Sequence, residues 1–299
     1  MATSIANNLN DRLIAQAALE SFVADMESLS LFTTSYSAET VRRGATVEVP
    51  LIANLTATTF ADDYTAGGGT INNVSISINN HQIVTSDVTD REWAASSTVE
   101  IMKFANQSGK ALAQAVLTSV YNLFVTTASS AAQYAATLTN LSAFTLTNAR
   151  ALRKALSDSK VPQTDRALIL NTTLYDSLLS QSGLLDASQF GARDTIADGR
   201  VPRILGMNVY ESLVLPTNSI SLSAVAVHPN AVALAVRALE PQAPSEYLAA
   251  QTVTDPATGL TIGVRRFYRP ETGKHHMAFE ALWGASRAIT AAAKLGLGA

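Results

Sequence analysis

The stretch from Val41 to Thr127 constrains this chain most: an alternating strand, a glycine-rich tip, a second alternating strand and one long helix, with few chemically useful side chains. The first strand, Ala45-Thr-Val47-Glu-Val49-Pro-Leu51, is apolar at every second position, the period of a half-buried β-strand. Pro50 has no amide proton to donate, which places this strand at an edge. After Gly67, Gly68 and Gly69 the alternation resumes through Ile71, Val74, Ile76 and Ile78, so the two strands read as a long hairpin. A two-stranded hairpin is marginal in water unless its apolar face is covered, and few nearby residues look able to cover it. The face formed by Val47, Val49, Val74, Ile76 and Ile78 is therefore expected to contact another subunit.

The helix follows Ser96-Ser97-Thr98-Val99-Glu100, a hydroxyl cap before an acidic first turn. Met102, Ala105, Gly109, Leu112, Val116, Val120 and Leu123 recur at helical spacing, and a helix of that extent is about 45 Å long at the α-helical rise. Met102, Phe104, Tyr121 and Phe124 read as core or interface positions rather than a cofactor face. Residues 4–30 read as a helix or arm, with Leu9, Leu13 and Ala17 on one stripe and Leu19, Val23 and Met26 on another. Such a drifting stripe predicts a helix lying along a surface.

Downstream, Thr147 is expected to cap a short helix whose Ala149, Leu152 and Leu156 face inward, ended by Pro162. Arg166 to Leu170 reads as a strand, Thr172 to Gln181 as a helix and Gly206 to Pro216 as a strand. Ala224 to Val236 reads as a buried strand giving way to a helix with Pro229 at its first position. Three further strands are joined by turn sequences at Asp255-Pro-Ala-Thr-Gly259 and Pro270-Glu-Thr-Gly273.

Composition narrows the function classes. Hydrophobic residues make up 47% of the 299, enough for a real core, while charged residues are only 15%, below the roughly 25% of ordinary soluble domains. Low charge with abundant neutral polar residues suits extensive subunit contacts. The net charge of −3 conceals an asymmetry: residues 1–102 carry four arginines against twelve acids, −8, and residues 103–299 carry seventeen basic against twelve acidic groups, +5. An acidic front and a basic rear can pair between copies, or simply be solvated faces. Neither half is basic enough for tight nucleic-acid binding by phosphate neutralisation. Without cysteine there is no disulfide, thiolate metal site or cysteine nucleophile. No secretory signal or bilayer-length apolar run is present, so a soluble intracellular product without membrane contact is expected.

No catalytic, cofactor or metal site emerges. Gly67-Gly68-Gly69-Thr70 lacks the spaced Gly-Lys-Ser/Thr of a phosphate loop and reads as a flexible hairpin tip. Neither a nucleophile elbow nor a zinc-binding His-Glu-x-x-His pattern occurs. His276 and Glu280 share one strand face without a third ligand at suggestive spacing; His81 and His228 read as turn or capping residues. Asp62, Asp63, Asp87 and Asp90 lack the ordered spacing of a calcium loop. Arg265, Arg266 and Arg269, interleaved with Phe267 and Tyr268, form the densest basic cluster, a candidate interface for nucleic acid or for intersubunit salt bridges at a strand edge.

In element order the chain resembles the major capsid proteins of tailed bacteriophages, whose α+β shell fold is called Hong Kong ninety-seven (HK97-like). The stretches carrying the resemblance are Arg166-Ala-Leu-Ile-Leu-Asn-Thr-Thr-Leu-Tyr-Asp-Ser-Leu-Leu, Ile204-Leu-Gly-Met-Asn-Val-Tyr-Glu-Ser-Leu-Val-Leu-Pro216 and Val225-Ala-Val-His-Pro-Asn-Ala-Val-Ala-Leu-Ala-Val236. The resemblance implies an N-terminal arm (1–40), an extended loop (41–95), a spine helix (96–127), a peripheral domain (96–170 with 251–299) and an axial domain (171–250). It implies a non-enzymatic role: self-assembly as hexamers and pentamers into an icosahedral head, assembled in the host cytoplasm, around double-stranded DNA held weakly and without sequence specificity. Gly67, Gly68 and Gly69 would be hinges of the extended loop. A portal is implied, a separate scaffolding protein is expected because the arm is short, and a cement protein is a candidate partner. Some family members weld their shells through an extended-loop lysine, but this chain has no lysine before Lys103, so its contacts are expected to be noncovalent. The rival readings are an encapsulin-type compartment with the same fold and, from another class, an unrecognised small-molecule enzyme.

Overall fold

A computed structural model describes residues 2–25, 32, 46–52, 71–95, 98–124, 134–138, 144–181, 201, 203–215, 222–237, 239, 247–255, 259–289 and 293–298. In chain order the elements are α1 (Ala2–Asp25), β1 (Thr46–Ile52), β2 (Ile71–Ser77), β3 (Asn80–Thr89), α2 (Asp90–Ala95), α3 (Thr98–Phe124), β4 (Tyr134–Leu138), α4 (Leu146–Asp158), β5 (Ala167–Asn171) and α5 (Thr172–Leu179). They continue with β6 (Arg203–Ile204), β7 (Met207–Ser212), β8 (Leu222–Val227), β9 (Val232–Arg237), β10 (Ala249–Thr254), β11 (Thr261–Arg269), β12 (Lys274–Arg287) and β13 (Ala293–Gly298). Among the described residues the strands form the hairpin β1-β2; a first main sheet ordered β10-β11-β12-β3, with β9 also paired to β12; and a second main sheet ordered β4-β13-β8-β5-β7-β6.

Both helices of the long pair lie on the first sheet, and their burial follows from spacing. Along α3, Ala105, Leu112, Val116, Val120, Tyr121 and Phe124 are buried, as the periodicity predicts, whereas Phe104 is exposed. On α1 the buried positions are Asp11, Ile14, Ala15, Ala18, Leu19 and Phe22, a continuous helical stripe. Of the two stripes expected, Leu19 of the second is buried and Val23 packs against the core, whereas Leu13 of the first is exposed. The helix packs face-on against α3 rather than skirting the surface: Gly109 has no room for a Cβ because the Ala18 carbonyl occupies that space, and Ser21 Oγ donates to the Asn106 carbonyl.

The α2 turn was not anticipated, although its signal is local. Thr89-Asp-Arg-Glu92 is a capping box in which Thr89 N and Oγ1 both donate to Glu92 and Glu92 N donates back to Thr89 Oγ1. Helix α4 buries Ala149, Leu152 and Leu156 as expected, but its N-cap is Thr145, which makes no side-chain cap hydrogen bond, and Thr147 lies inside the helix. Asn171 caps α5 by accepting from Leu174 N.

The second sheet brings together segments far apart in sequence. β5 lies between β7, parallel, and β8, antiparallel, and β8 pairs on its other edge with β13. After Pro229 the expected helix is only one 3-10 turn, Pro229–Ala231, followed by strand β9. The sequence Val232-Ala-Leu-Ala-Val-Arg237 alternates large with small: Val232, Leu234 and Val236 enter the main core and Ala233 and Ala235 the opposite face. That period of two, sandwiched on both sides, overrides the helical start signal.

Candidate assembly interface

The hairpin forms as the alternation predicts, with Val47 opposite Ile76 and Val49 opposite Val74. Its apolar face is not left open along its whole length. Val47, Val49, Ile76 and Ile78 are buried at 6%, 2%, 0% and 0% exposure, in a cluster with Ala233 and Ala235 of β9 and Leu282 of β12. The expectation that these four residues wait for another subunit is therefore corrected: the root of the hairpin is seated on its own chain. The covering residues come from about two hundred positions downstream, and two are alanines. Val74 remains partly exposed on the same face. Gly67, Gly68 and Gly69, with Asp62 and Asp63, lie outside the described residues.

Beyond Ser77 the chain bends once, with Asn79 N donating to the Ser77 carbonyl at 3.2 Å. It then enters β3, which pairs with β12 over ten residue pairs, from Asn80 opposite Trp283 to Thr89 opposite Lys274. The segment read as one extended loop thus contains the strand pair β1-β2 and a strand, 80–89, that belongs to the first sheet.

The basic cluster lies on β11, between β10 and β12 rather than at a sheet edge. Arg265 reaches Glu280 at 2.6 Å, donates to the Leu239 carbonyl at 2.8 Å and lies over the Tyr247 ring. Glu280, 4% exposed, also meets His81 Nε2 at 3.2 Å. On the opposite face Arg266 donates to Asp11 of α1 at 3.0 Å. Two of the three arginines are therefore neutralised within the chain. Arg269 stacks over Phe267, which stacks in turn on His276 at 5.2 Å.

Two ion pairs join the acidic front to the basic rear inside one copy, Asp11 with Arg266 and Asp87 with Lys274, and Asp90 also meets His275 Nε2 at 3.2 Å. Burial raises the Asp11 carboxyl above its ordinary value, an effect that neighbouring Arg266 opposes. The hydrogen bond and charge of Lys274 hold Asp87 below the ordinary aspartate value, and the Thr89 backbone and hydroxyl do the same for Glu92. His228 is a capping residue as expected, accepting from Asn230 N through Nδ1, and burial pushes its pKa down. His81, expected at a turn, is instead a strand residue bound to Glu280.

Sequence reasoning missed Glu280 as the residue joining His81 of β3 to Arg265 of β11, because both partners lie on other strands. The His276–Glu280 pairing considered for a metal does not form, since Glu280 turns to Arg265 and His81. Among the described residues no group of three or more His, Cys, Asp and Glu side chains is placed to hold a metal ion. No described helix is long and apolar enough to cross a membrane.

No family model matches the chain, and no curated protein matches its sequence. Solved structures do match over nearly its whole length. A chain from Mycobacterium phage Che8 superposes with a TM-score of 0.61 at 15% identity, covering 89% of both chains. The capsid structure of cyanophage P-SCSP1u gives 0.57 at 15% identity, covering 91% of this chain and 94% of that one. A virus-like particle from Pyrococcus furiosus gives 0.54 at 13% identity, with 95% and 97% covered. The chain thus shares the fold of phage capsid subunits.

Proposed function

We propose that this chain is a structural shell subunit of a phage head, a major capsid protein that assembles through many noncovalent contacts between copies. The observation that carries this reading is the fold shared with phage capsid chains over about nine-tenths of both partners, so that no additional domain among the described residues asks for a separate activity. The internal pairing of Arg265, Arg266, Glu280, Asp11 and His81 agrees with it: these groups hold the subunit together instead of facing a substrate.

In this reading the fold is the HK97-like one, with 1–40 as the arm, 41–95 as the extended loop, 96–127 as the spine helix, 96–170 and 251–299 as the peripheral domain and 171–250 as the axial domain. Copies gather as hexamers and pentamers, and the distal hairpin, from Val74 outward to the tip glycines, reaches a neighbour. Arg269, left outside the two internal ion pairs of its cluster, is the member of the basic group best placed to contact a second copy. The shell encloses double-stranded DNA, and portal, scaffolding and cement proteins are its partners. Heterologous contacts of this kind close into a shell only when curvature is set, which gives the hairpin's direction a functional meaning.

Negative-stain electron microscopy of the purified protein tests the proposal: uniform closed shells are expected, and a protein remaining monomeric at assembly concentrations would overturn it. Particles recovered from the natural source are expected to protect double-stranded DNA from nuclease. Particles holding a protein cargo instead would move the reading to a compartment shell.

A further inference from the structure

We infer that Gly284 sets the direction in which the β1-β2 hairpin leaves its subunit, and through that direction the geometry of assembly; the second half of this inference rests on the shell function proposed above. Gly284 sits on β12 opposite Ala235 of β9, in regular antiparallel pairing. Its φ is not positive, unlike that of glycines 206, 259 and 273, so backbone conformation does not demand glycine here. Clearance does. A Cβ at Gly284 would lie 2.5 Å from the Ser77 carbonyl oxygen, 2.9 Å from its carbon and 3.0 Å from Ile76 Cγ2.

The two nearest obstructing atoms are backbone, and they sit at the mechanical root of the hairpin. The same Ser77 carbonyl accepts from Asn79 N and closes the bend between β2 and β3. On one side of that bend β3 is fixed to β12 by its ladder. On the other, Val47, Val49, Ile76 and Ile78 rest on a floor of Ala233, Ala235 and Leu282. A methyl group at position 284 must therefore lift β2 off that floor while β3 stays in place. A lift of about 1 Å across one strand spacing of about 5 Å tilts the hairpin by roughly 10°, moving the far end of a seven-residue strand by about 3 Å. Neighbouring copies touching that end would meet it at a changed angle.

The chain contains no cysteine, so Asn73→Cys, four residues out from Ser77, and Thr252→Cys, both at exposed positions, give a single spin-label pair reporting hairpin position against the first sheet. In Gly284→Ala the mean distance is expected to shift by about 2–4 Å, and particles seen by electron microscopy are expected to change in diameter or lose uniformity. Ala235→Gly, which removes an atom from the same floor, is expected to shift the distance in the opposite sense; it decides the matter if Gly284→Ala yields no soluble protein. Unchanged distances in whichever variants fold, or particles of wild-type size from a shifted Gly284→Ala, overturn the inference. Absence of particles from the unsubstituted protein overturns the shell function instead, while the distance measurement still tests the hairpin's direction.

Discussion

At the scale of single residues, Glu280 separates what a pattern can say from what a neighbour decides. Alternation along Lys274–Arg287 puts Glu280 and His276 on one face, and that much is legible. Its actual partners, Arg265 and His81, arrive on two other strands, and Gly263 opposite it leaves the space its side chain fills. Replacing Glu280 by Gln keeps shape and hydrogen bonding but leaves the Arg265 guanidinium buried without a counter-charge. The expected loss is about 3 kcal/mol, read as a lowered urea midpoint. His228 shows the reverse case, since Pro229 after a histidine is a visible cap signal and the cap forms. Its pKa is pushed down by burial, so the neutral ring is the form the fold prefers. Its contribution is present above the ordinary value of 6.5 and lost as pH falls from there toward the lowered folded value. His228→Asn keeps an acceptor without a titrating ring, and the difference in urea midpoint between pH 7.5 and pH 5 is expected to be smaller in that variant than in the wild type.

At the scale of elements, the long helix and the hairpin are legible because each repeats its period many times. Helix α1 and strand β9 are where the reading slips. For α1 the expected stripes run through Leu13 and through Leu19, and packing against α3 at Gly109 instead buries Ile14, Ala18 and Phe22 beside Leu19. For β9 the Pro229 start signal is genuine but stops after one turn, because both faces of the following segment are buried. The hairpin's seating also changes which substitution probes assembly. Ile76 is fully buried in its own subunit, so Ile76→Ala is expected to cost about 2–4 kcal/mol of folding stability, seen as a lower melting temperature. Val74 is partly exposed on the same face, and Val74→Asp is expected to leave the melting temperature within a few degrees while reducing particle yield. Normal particles from Val74→Asp would remove this residue from the interface.

At the scale of the whole molecule, the C-terminal strand is built into the middle of the second sheet, and no local signal announces it. Strand β13, at 293–298, lies between β4 and β8 in the second sheet. Ending the chain after Ile289 is expected to leave β4 and the edge of β8 unpaired, giving insoluble or molten protein by near-ultraviolet circular dichroism. A native spectrum from the truncated chain would show the strand dispensable. The front-to-rear charge asymmetry has the same lesson: Asp11 and Asp87 find Arg266 and Lys274 inside one copy, although the count alone permits pairing between copies equally well. The sequence by itself determined the order and type of most elements, the alternating faces of the hairpin strands and the absence of thiol chemistry, because period, capping residues and composition act over a few neighbouring positions. Only the tertiary structure decided which faces are covered, that the hairpin rests on Ala233, Ala235 and Gly284, and that the ionisable clusters close upon themselves. Those outcomes depend on contacts between residues up to two hundred and fifty-five positions apart, where burial and close approach, not local preference, set the free energy.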